Sequence, residues 1–119
     1  MTPEHRTIVI TGASDGIGAA AAAQLSASGH RIVVVGRSPE KTRATADAVR
    51  ADASFTADFA DLDQVRRLAA DLREACPRID VLANNAGGVF PRRTRSVDGL
   101  PLTMQVNHLA PFQIGRAHV

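Results

Sequence analysis

The 119-residue chain contains no tyrosine and no tryptophan, and its aromatic content is 3 %. A mechanism that needs a tyrosine cannot be run by this chain. Lys41 is its only lysine. One cysteine, Cys76, excludes an internal disulfide; a lone thiol fits a reducing compartment, so a cytoplasmic location is expected. No apolar run approaches the roughly 20 residues of a membrane span. The start, Met1-Thr2-Pro3-Glu4-His5-Arg6, is polar, and only a few apolar residues follow, unlike a signal peptide. His5, His30, His108 and His118 lack metal-ligand spacing, so no metal is expected. Excess charge is scarce too: 14 Lys and Arg against 12 Asp and Glu leave +2. That surplus is no nucleic-acid footprint, and no aromatics interleave with the arginines, so no nucleic-acid partner is expected. With 45 % hydrophobic and 22 % charged residues, the composition is that of one globular domain.

What remains is an alternation of two patterns. Thr7-Ile8-Val9-Ile10-Thr11 is a β-branched run that predicts a buried strand. Ala19 to Ala27 predicts a helix, with Gly29 placed to terminate it. Arg31 to Val35 reads as a second strand. Ser38-Pro39 supplies an N-cap and a first-turn proline for a helix over Pro39 to Arg50. A weak third strand is expected around Ser54 to Ala57. Asp61 can cap the next helix, whose Leu62, Val65, Leu68, Ala69, Leu72 and Cys76 share one face. Cys76 thereby reads as packing rather than as a nucleophile, and Pro77 ends the helix. Ile79 to Ala83 is a fourth strand, Gly88 to Gly99 a loop, and a last helix starts near Pro101. Arg92, Arg93 and Arg95 read as a solvated loop cluster. Strand–helix alternation implies a parallel sheet covered on both faces, and right-handed crossovers restrict it to a doubly wound, Rossmann-type α/β fold.

Gly12, Gly16 and Gly18 sit where the first strand turns into the first helix. Glycines there let backbone approach a phosphate, and the helix N-terminus offers unpaired N–H groups and the positive end of a dipole. Ile17 is expected to point into the core and fix the turn. A P-loop is excluded, because no Gly-Lys-Ser/Thr follows.

With these residues in place, the chain resembles the N-terminal part of a short-chain dehydrogenase/reductase. Thr11-Gly12-Ala13-Ser14-Asp15-Gly16-Ile17-Gly18 matches that family's cofactor motif, and Asn84-Asn85-Ala86-Gly87 its motif after the fourth strand. Asp58 and Asn107 match its adenine-contacting aspartate and its catalytic helix asparagine. The stretch from Asp98-Gly99 to Phe112 is similar to the retinol-dehydrogenase-like branch. The resemblance implies that Gly12, Ser14, Asp15, Gly16, Ile17 and Gly18 line the phosphates and adenosine ribose of a nicotinamide dinucleotide. It implies that Asp58 and the Phe59 backbone hold the adenine, and that Asn85, Ala86 and Gly87 run beside the ribose. Asn107 would hold a water in a proton relay. Two plainer roles stand beside these: Asp58 as a turn residue bonding its own backbone, and Asn107 as a helix residue bonding backbone.

The end of the second strand selects the cofactor. An acid there grips the ribose 2′-OH of NAD, whereas an arginine accommodates the 2′-phosphate of NADP. Val35 is followed by Gly36 and Arg37, with no acid before Glu40, so NADP(H) is expected over NAD(H).

The resemblance implies hydride transfer between NADP(H) and a small alcohol or carbonyl substrate. It also implies a homo-oligomeric full-length protein. The family's catalytic serine, tyrosine and lysine fall beyond Phe112, so the fragment itself is expected to be inactive. The fold is accordingly expected to stop after the fourth strand and the start of the following helix, leaving an apolar edge. Residues 1–112 read as part of a dinucleotide-binding domain. Residues 113–119 read as a foreign tail: Gly115 weakens the helix, and Ile114 to Val119 match the in-frame translation of a common sequencing-adapter DNA. The competing reading is a non-catalytic NAD(P)-binding sensor or regulatory module.

Overall fold

The computed structural model describes residues 5–88, 90 and 93–118. Pro91, Arg92 and Val119 lie outside that set, so the arginine cluster is seen only through Arg93 and Arg95, both exposed. Four short apolar runs extend as β1 (Thr7–Thr11), β2 (Arg31–Gly36), β3 (Ala53–Thr56) and β4 (Val81–Ala83). They form one parallel sheet in the order β3-β2-β1-β4. The third strand is displaced one residue toward the N-terminus of the expected span. The fourth begins at Val81 rather than Ile79, because Asp80 turns back onto β1: its N–H donates to the Thr7 carbonyl and its carboxylate accepts from the Thr7 N–H, both at 2.9 Å.

Alternation along the strands divides the core. Val9, Val33 and Val35 face one side, where they pack with Val65, Leu68 and Leu72. Ile8, Ile10, Ile32 and Val34 face the other, against Ala13 and Ala22. The helices covering these faces are α1 (Gly16–Ala27), α2 (Pro39–Val49) and α3 (Leu62–Ala75). The caps follow the sequence pattern. Ser38 accepts from Lys41 N–H at 3.3 Å, and Asp61 accepts from Asp63 N–H at 3.0 Å. Gly29, at φ +89°, turns the chain out of α1. Arg50 lies just beyond α2, in the left-handed conformation at φ 55°. Cys76 is 3 % exposed in the core, and burial pushes its thiol pKa up, with the Arg31 charge a smaller opposing effect. That is the environment of a packing residue.

After β4 the chain crosses to a composite helix: α4 (Leu102–Met104), a π-helical segment Gln105–Leu109, and α5 (Ala110–Ala117). Pro111 explains the rewinding. It has no N–H to return to the Asn107 carbonyl four residues back, so the α ladder loses a rung there. Gly115, expected to weaken the helix, does not interrupt α5. Ile114, fully buried, seats the helix against the Leu68 and Leu72 face of α3. Tertiary burial of one large side chain outweighs the roughly 1 kcal/mol helix penalty of a glycine. At the sheet's edge, β4 pairs with β1 alone and leaves Val81 39 % exposed. No helix among the described residues is long and apolar enough to cross a membrane.

The Asp80 bridge carries a pH signature. The Thr7 N–H holds its carboxyl below the ordinary value of 3.8, burial opposes, and Arg78, at 2.8 Å, adds to the lowering. A depressed folded-state pKa stabilises the fold above the unfolded value and loses that contribution as the pH falls through the folded one. Acid unfolding below pH 3.8 should therefore be shallower in Asp80→Asn than in the wild type, as read from circular dichroism against pH.

Candidate cofactor-binding site

The chain runs β1 to β2 to β3 in one direction, then returns to place β4 on the other side of β1. Such a reversal opens a crevice at the carboxyl ends of the strands. Here the crevice is a cleft of about 620 Å³, lined by the end of β2 and by the turns that follow β1, β3 and β4.

Its floor is the turn from β1 into α1. Gly12 is left-handed at φ +63°, and a Cβ there would stand 2.8 Å from the Ala86 Cα. Gly18 lies beneath the turn: a Cβ would run into the Gly12 carbonyl oxygen and come 2.7 Å from the Asn85 Nδ2. Gly16, at φ +58°, has nothing within 4 Å and opens to the cleft. The turn is held from behind. Ala13 N–H donates to the Val35 carbonyl at 3.1 Å, and the Thr45 hydroxyl donates to the Ser14 carbonyl at 3.0 Å.

Helix α1 begins at Gly16, three residues before the expected Ala19, and its first turn lacks both a side-chain cap and an acidic residue. Asp15 is the N-cap, but its side chain makes no cap bond, and its carbonyl accepts from the Ala19 N–H. The N–H groups of Gly16, Ile17 and Gly18 thus have no partner within the helix and no cap. Ile17 corrects the sequence reading: it is 82 % exposed and lines the cleft. The β1–α1 turn has no room beneath it, since Gly18 already meets the Gly12 carbonyl and Asn85, so the isoleucine is turned outward.

The remaining predicted residues converge from the other strands. Ser14, Arg37, Asp58, Phe59, Asn85, Ala86 and Gly87 all line the cleft, whereas Gly18 and Asn107 support it from behind. Asp58 does adopt the turn role: its Oδ1 accepts from the Ala60 N–H at 2.9 Å, and its own N–H donates to Gln64 Oε1 at 2.9 Å. Asn107 clamps Gly88 from both sides. Its Oδ1 accepts from the Gly88 N–H at 2.8 Å, and its Nδ2 donates to the Gly88 carbonyl at 2.7 Å and the Thr103 carbonyl at 3.0 Å. A Cβ at Gly87 would stand 2.6 Å from that Oδ1, so glycine lets helix and loop approach.

Two supporting residues were given no role by the sequence. Thr11, 1 % exposed, accepts from the Asn85 and Ala86 N–H groups at 3.1 and 3.0 Å, tying the tip of β1 to the loop after β4. Its place at the end of β1 and at the head of the matched glycine motif hinted at this. Gln105, fully buried, donates to the Phe59 carbonyl at 3.0 Å and to Asp98 Oδ2 at 3.1 Å, and accepts from the Ser96 hydroxyl. Asp98 Oδ2 also accepts from the Leu62 N–H at the start of α3. No local pattern announces this, because a glutamine in a helix ordinarily reads as surface. Thr11→Val keeps the shape, deprives the Ala86 N–H of its acceptor and leaves the Asn85 N–H with the Ala83 carbonyl, at 3.0 Å, alone. We expect a loss of about 2 kcal/mol in urea unfolding, with cofactor affinity falling alongside.

A parallel sheet with its crevice at the switch point, and an uncapped glycine-floored helix start beside it, define a Rossmann-type protein. Residues 6–119 match the family described as short chain dehydrogenase, and the chain belongs to the short-chain dehydrogenase/reductase family, in its retinol-dehydrogenase-like branch. It is 51 % identical over 129 residues to a Streptomyces sp. strain C5 protein named "Putative daunorubicin C-13 ketoreductase DnrU", covering 97 % of this chain and 45 % of the relative. Human retinol dehydrogenase 13 is 34 % identical over 90 % of this chain and 34 % of its own length. Among solved structures, the RhlG/NADP active-site complex of Pseudomonas aeruginosa superimposes with a TM-score of 0.78 at 32 % identity, over 96 % of this chain and 45 % of that one. The chain spans less than half the length of these proteins.

Proposed function

We propose that the chain is the cofactor-binding part of an oxidoreductase that passes a hydride between NADP(H) and an alcohol or carbonyl substrate. The observation that carries this reading is the start of α1: uncapped N–H groups over a glycine floor, opening into the cleft. Those donors fit a diphosphate, which needs close backbone approach and positive potential. The floor, from Gly12 through Ser14, Asp15, Gly16 and Ile17, would hold the diphosphate and adjoining ribose, with Gly18 supporting it from below. Asp58 and Phe59 would face the adenine, and Asn85, Ala86 and Gly87 the second ribose. Arg37, exposed on the cleft wall, would take the 2′-phosphate. NADPH would supply the hydride, or NADP+ accept it, when bound. What this chain contributes is the grip and the alignment.

Asn107 would serve the proton relay by its main chain. Its side-chain donors are spent on Gly88 and Thr103, and Pro111 has no N–H for its carbonyl, which is the group suited to hold a water. With no tyrosine and with Lys41 outside the cleft lining, the chain alone would bind cofactor without turning over substrate. The name of the 51 % relative supports carbonyl reduction. The buried lone thiol supports a reducing, cytoplasmic setting. The complete protein would act on a small molecule, as a homo-oligomer.

Fluorescence titration of the chain with NADPH and NADH tests the cofactor reading. NADPH should bind the tighter, and Arg37→Ala should weaken NADPH by about 10–100-fold while leaving NADH nearly unchanged. Equal binding of the two coenzymes by the wild type would remove the assignment.

A further inference from the structure

We propose that Thr42 is a specificity-determining residue. Its side chain fills the space that an acidic side chain at position 36 would need, which closes the site to the ribose-gripping carboxylate of NAD-selecting sites. This rests on the cofactor reading above and deepens it. Gly36 is the last residue of β2, buried, and lines the cleft immediately before Arg37. It therefore stands where an acid would select NAD. An ideal Cβ built on Gly36 falls inside van der Waals contact of Thr42 Oγ1, and 3.1 Å from the Ser14 Cβ. The Thr42 Cβ is 3.4 Å away, an ordinary contact. The obstruction is thus the hydroxyl end of Thr42.

Thr42 cannot easily yield. It is 1 % exposed, and its N–H is bonded to the Ser38 carbonyl at 2.9 Å. Of the two other staggered positions at χ1, one puts the methyl where Oγ1 stands and the other clears the space with a hydrogen, so it is the packing around the buried side chain that holds the obstruction in place. The hydroxyl has no hydrogen-bond partner, although it is buried. A helical threonine usually returns its hydroxyl to a carbonyl one turn back. Here its contribution is volume, placed under the one position where a carboxylate would change the cofactor. Gly36 and Thr42 act as a pair: the glycine is required because the threonine is present.

The test combines Gly36→Asp with Thr42→Ala and, separately, with the isosteric Thr42→Val. Melting temperature is read for each chain, and calorimetry measures binding of adenosine 2′,5′-bisphosphate and of ADP. Gly36→Asp should lower the melting temperature by about 5–10 °C in the wild-type and Thr42→Val backgrounds, and by less than about 2 °C beside Thr42→Ala. Only the Gly36→Asp/Thr42→Ala chain should prefer ADP over the bisphosphate, by about tenfold or more. An equal melting penalty in all three backgrounds overturns the proposal, as does an ADP preference from Gly36→Asp alone at unchanged stability. If the wild type itself shows no preference for the bisphosphate, the NADP reading fails and takes the proposal with it. A wild-type preference without the melting coupling removes the proposal alone.

Discussion

Replacing Gly18 by alanine should destabilise the chain by about 3 kcal/mol and abolish cofactor binding. Helix propensity argues the other way: in a helix interior alanine is favoured over glycine by roughly 1 kcal/mol. Packing decides. The added methyl would meet the Gly12 carbonyl oxygen, with the Asn85 Nδ2 at 2.7 Å and the Ala13 Cα at 3.0 Å. Two of the three are backbone, so relief requires moving the turn itself or lifting the loop after β4, and both are walls of the cleft. Gly16→Ala is the informative comparison. Nothing lies within 4 Å of its Cβ position, and the expected cost, about 1–2 kcal/mol, arises from the left-handed backbone alone. Thermal melts and NADPH titrations of the two variants read both effects. A Gly18→Ala chain as stable as the wild type would show that α1 does not press on the turn.

The second large effect is expected at Ile114. Truncation to alanine should cost about 3 kcal/mol, seen as a lower urea midpoint at constant slope. Ile114 is fully buried in the cluster that contains Leu68, Leu72 and Ala110, so its loss leaves a cavity between α3 and α5. Phe112, two residues earlier and 60 % exposed, provides the control: Phe112→Ala should change stability by no more than about 0.5 kcal/mol. The contrast bears on the whole end of the chain. Should Ile114→Ala prove as mild as Phe112→Ala, α5 does not dock on α3, and the face of α3 that carries Leu68 and Leu72 is covered by something else.

The sequence alone determined the order of the elements, the parallel sheet and the place of the glycine-rich turn. Those features are written locally. β-Branched runs, a 3.6-residue apolar stripe from Leu62 to Cys76, a Ser-Pro helix start and glycines between β1 and α1 each act within a few residues of themselves. Asp58 and Asn85 are named by the resemblance of short motifs to a known family, and Gly12 and Arg37 also by their places at the ends of the first two strands.

Tertiary structure decided what depends on partners distant in the chain. Ile17 faces outward because the room beneath its turn is already taken, which its apolar character does not reveal. Asn85 and Ala86 are held by Thr11, more than 70 residues away, and Phe59 is held by Gln105 across 46. Whether a glycine is crowded, as Gly18 and Gly36 are, or merely bent, as Gly16 is, depends on which backbone or side chain the topology brings alongside. Helix α5 survives its glycine because α3 presents an apolar face for Ile114. Short-range pattern sets the conformation of each element; the fit between elements is set by three-dimensional packing, to which residues far apart in sequence contribute equally.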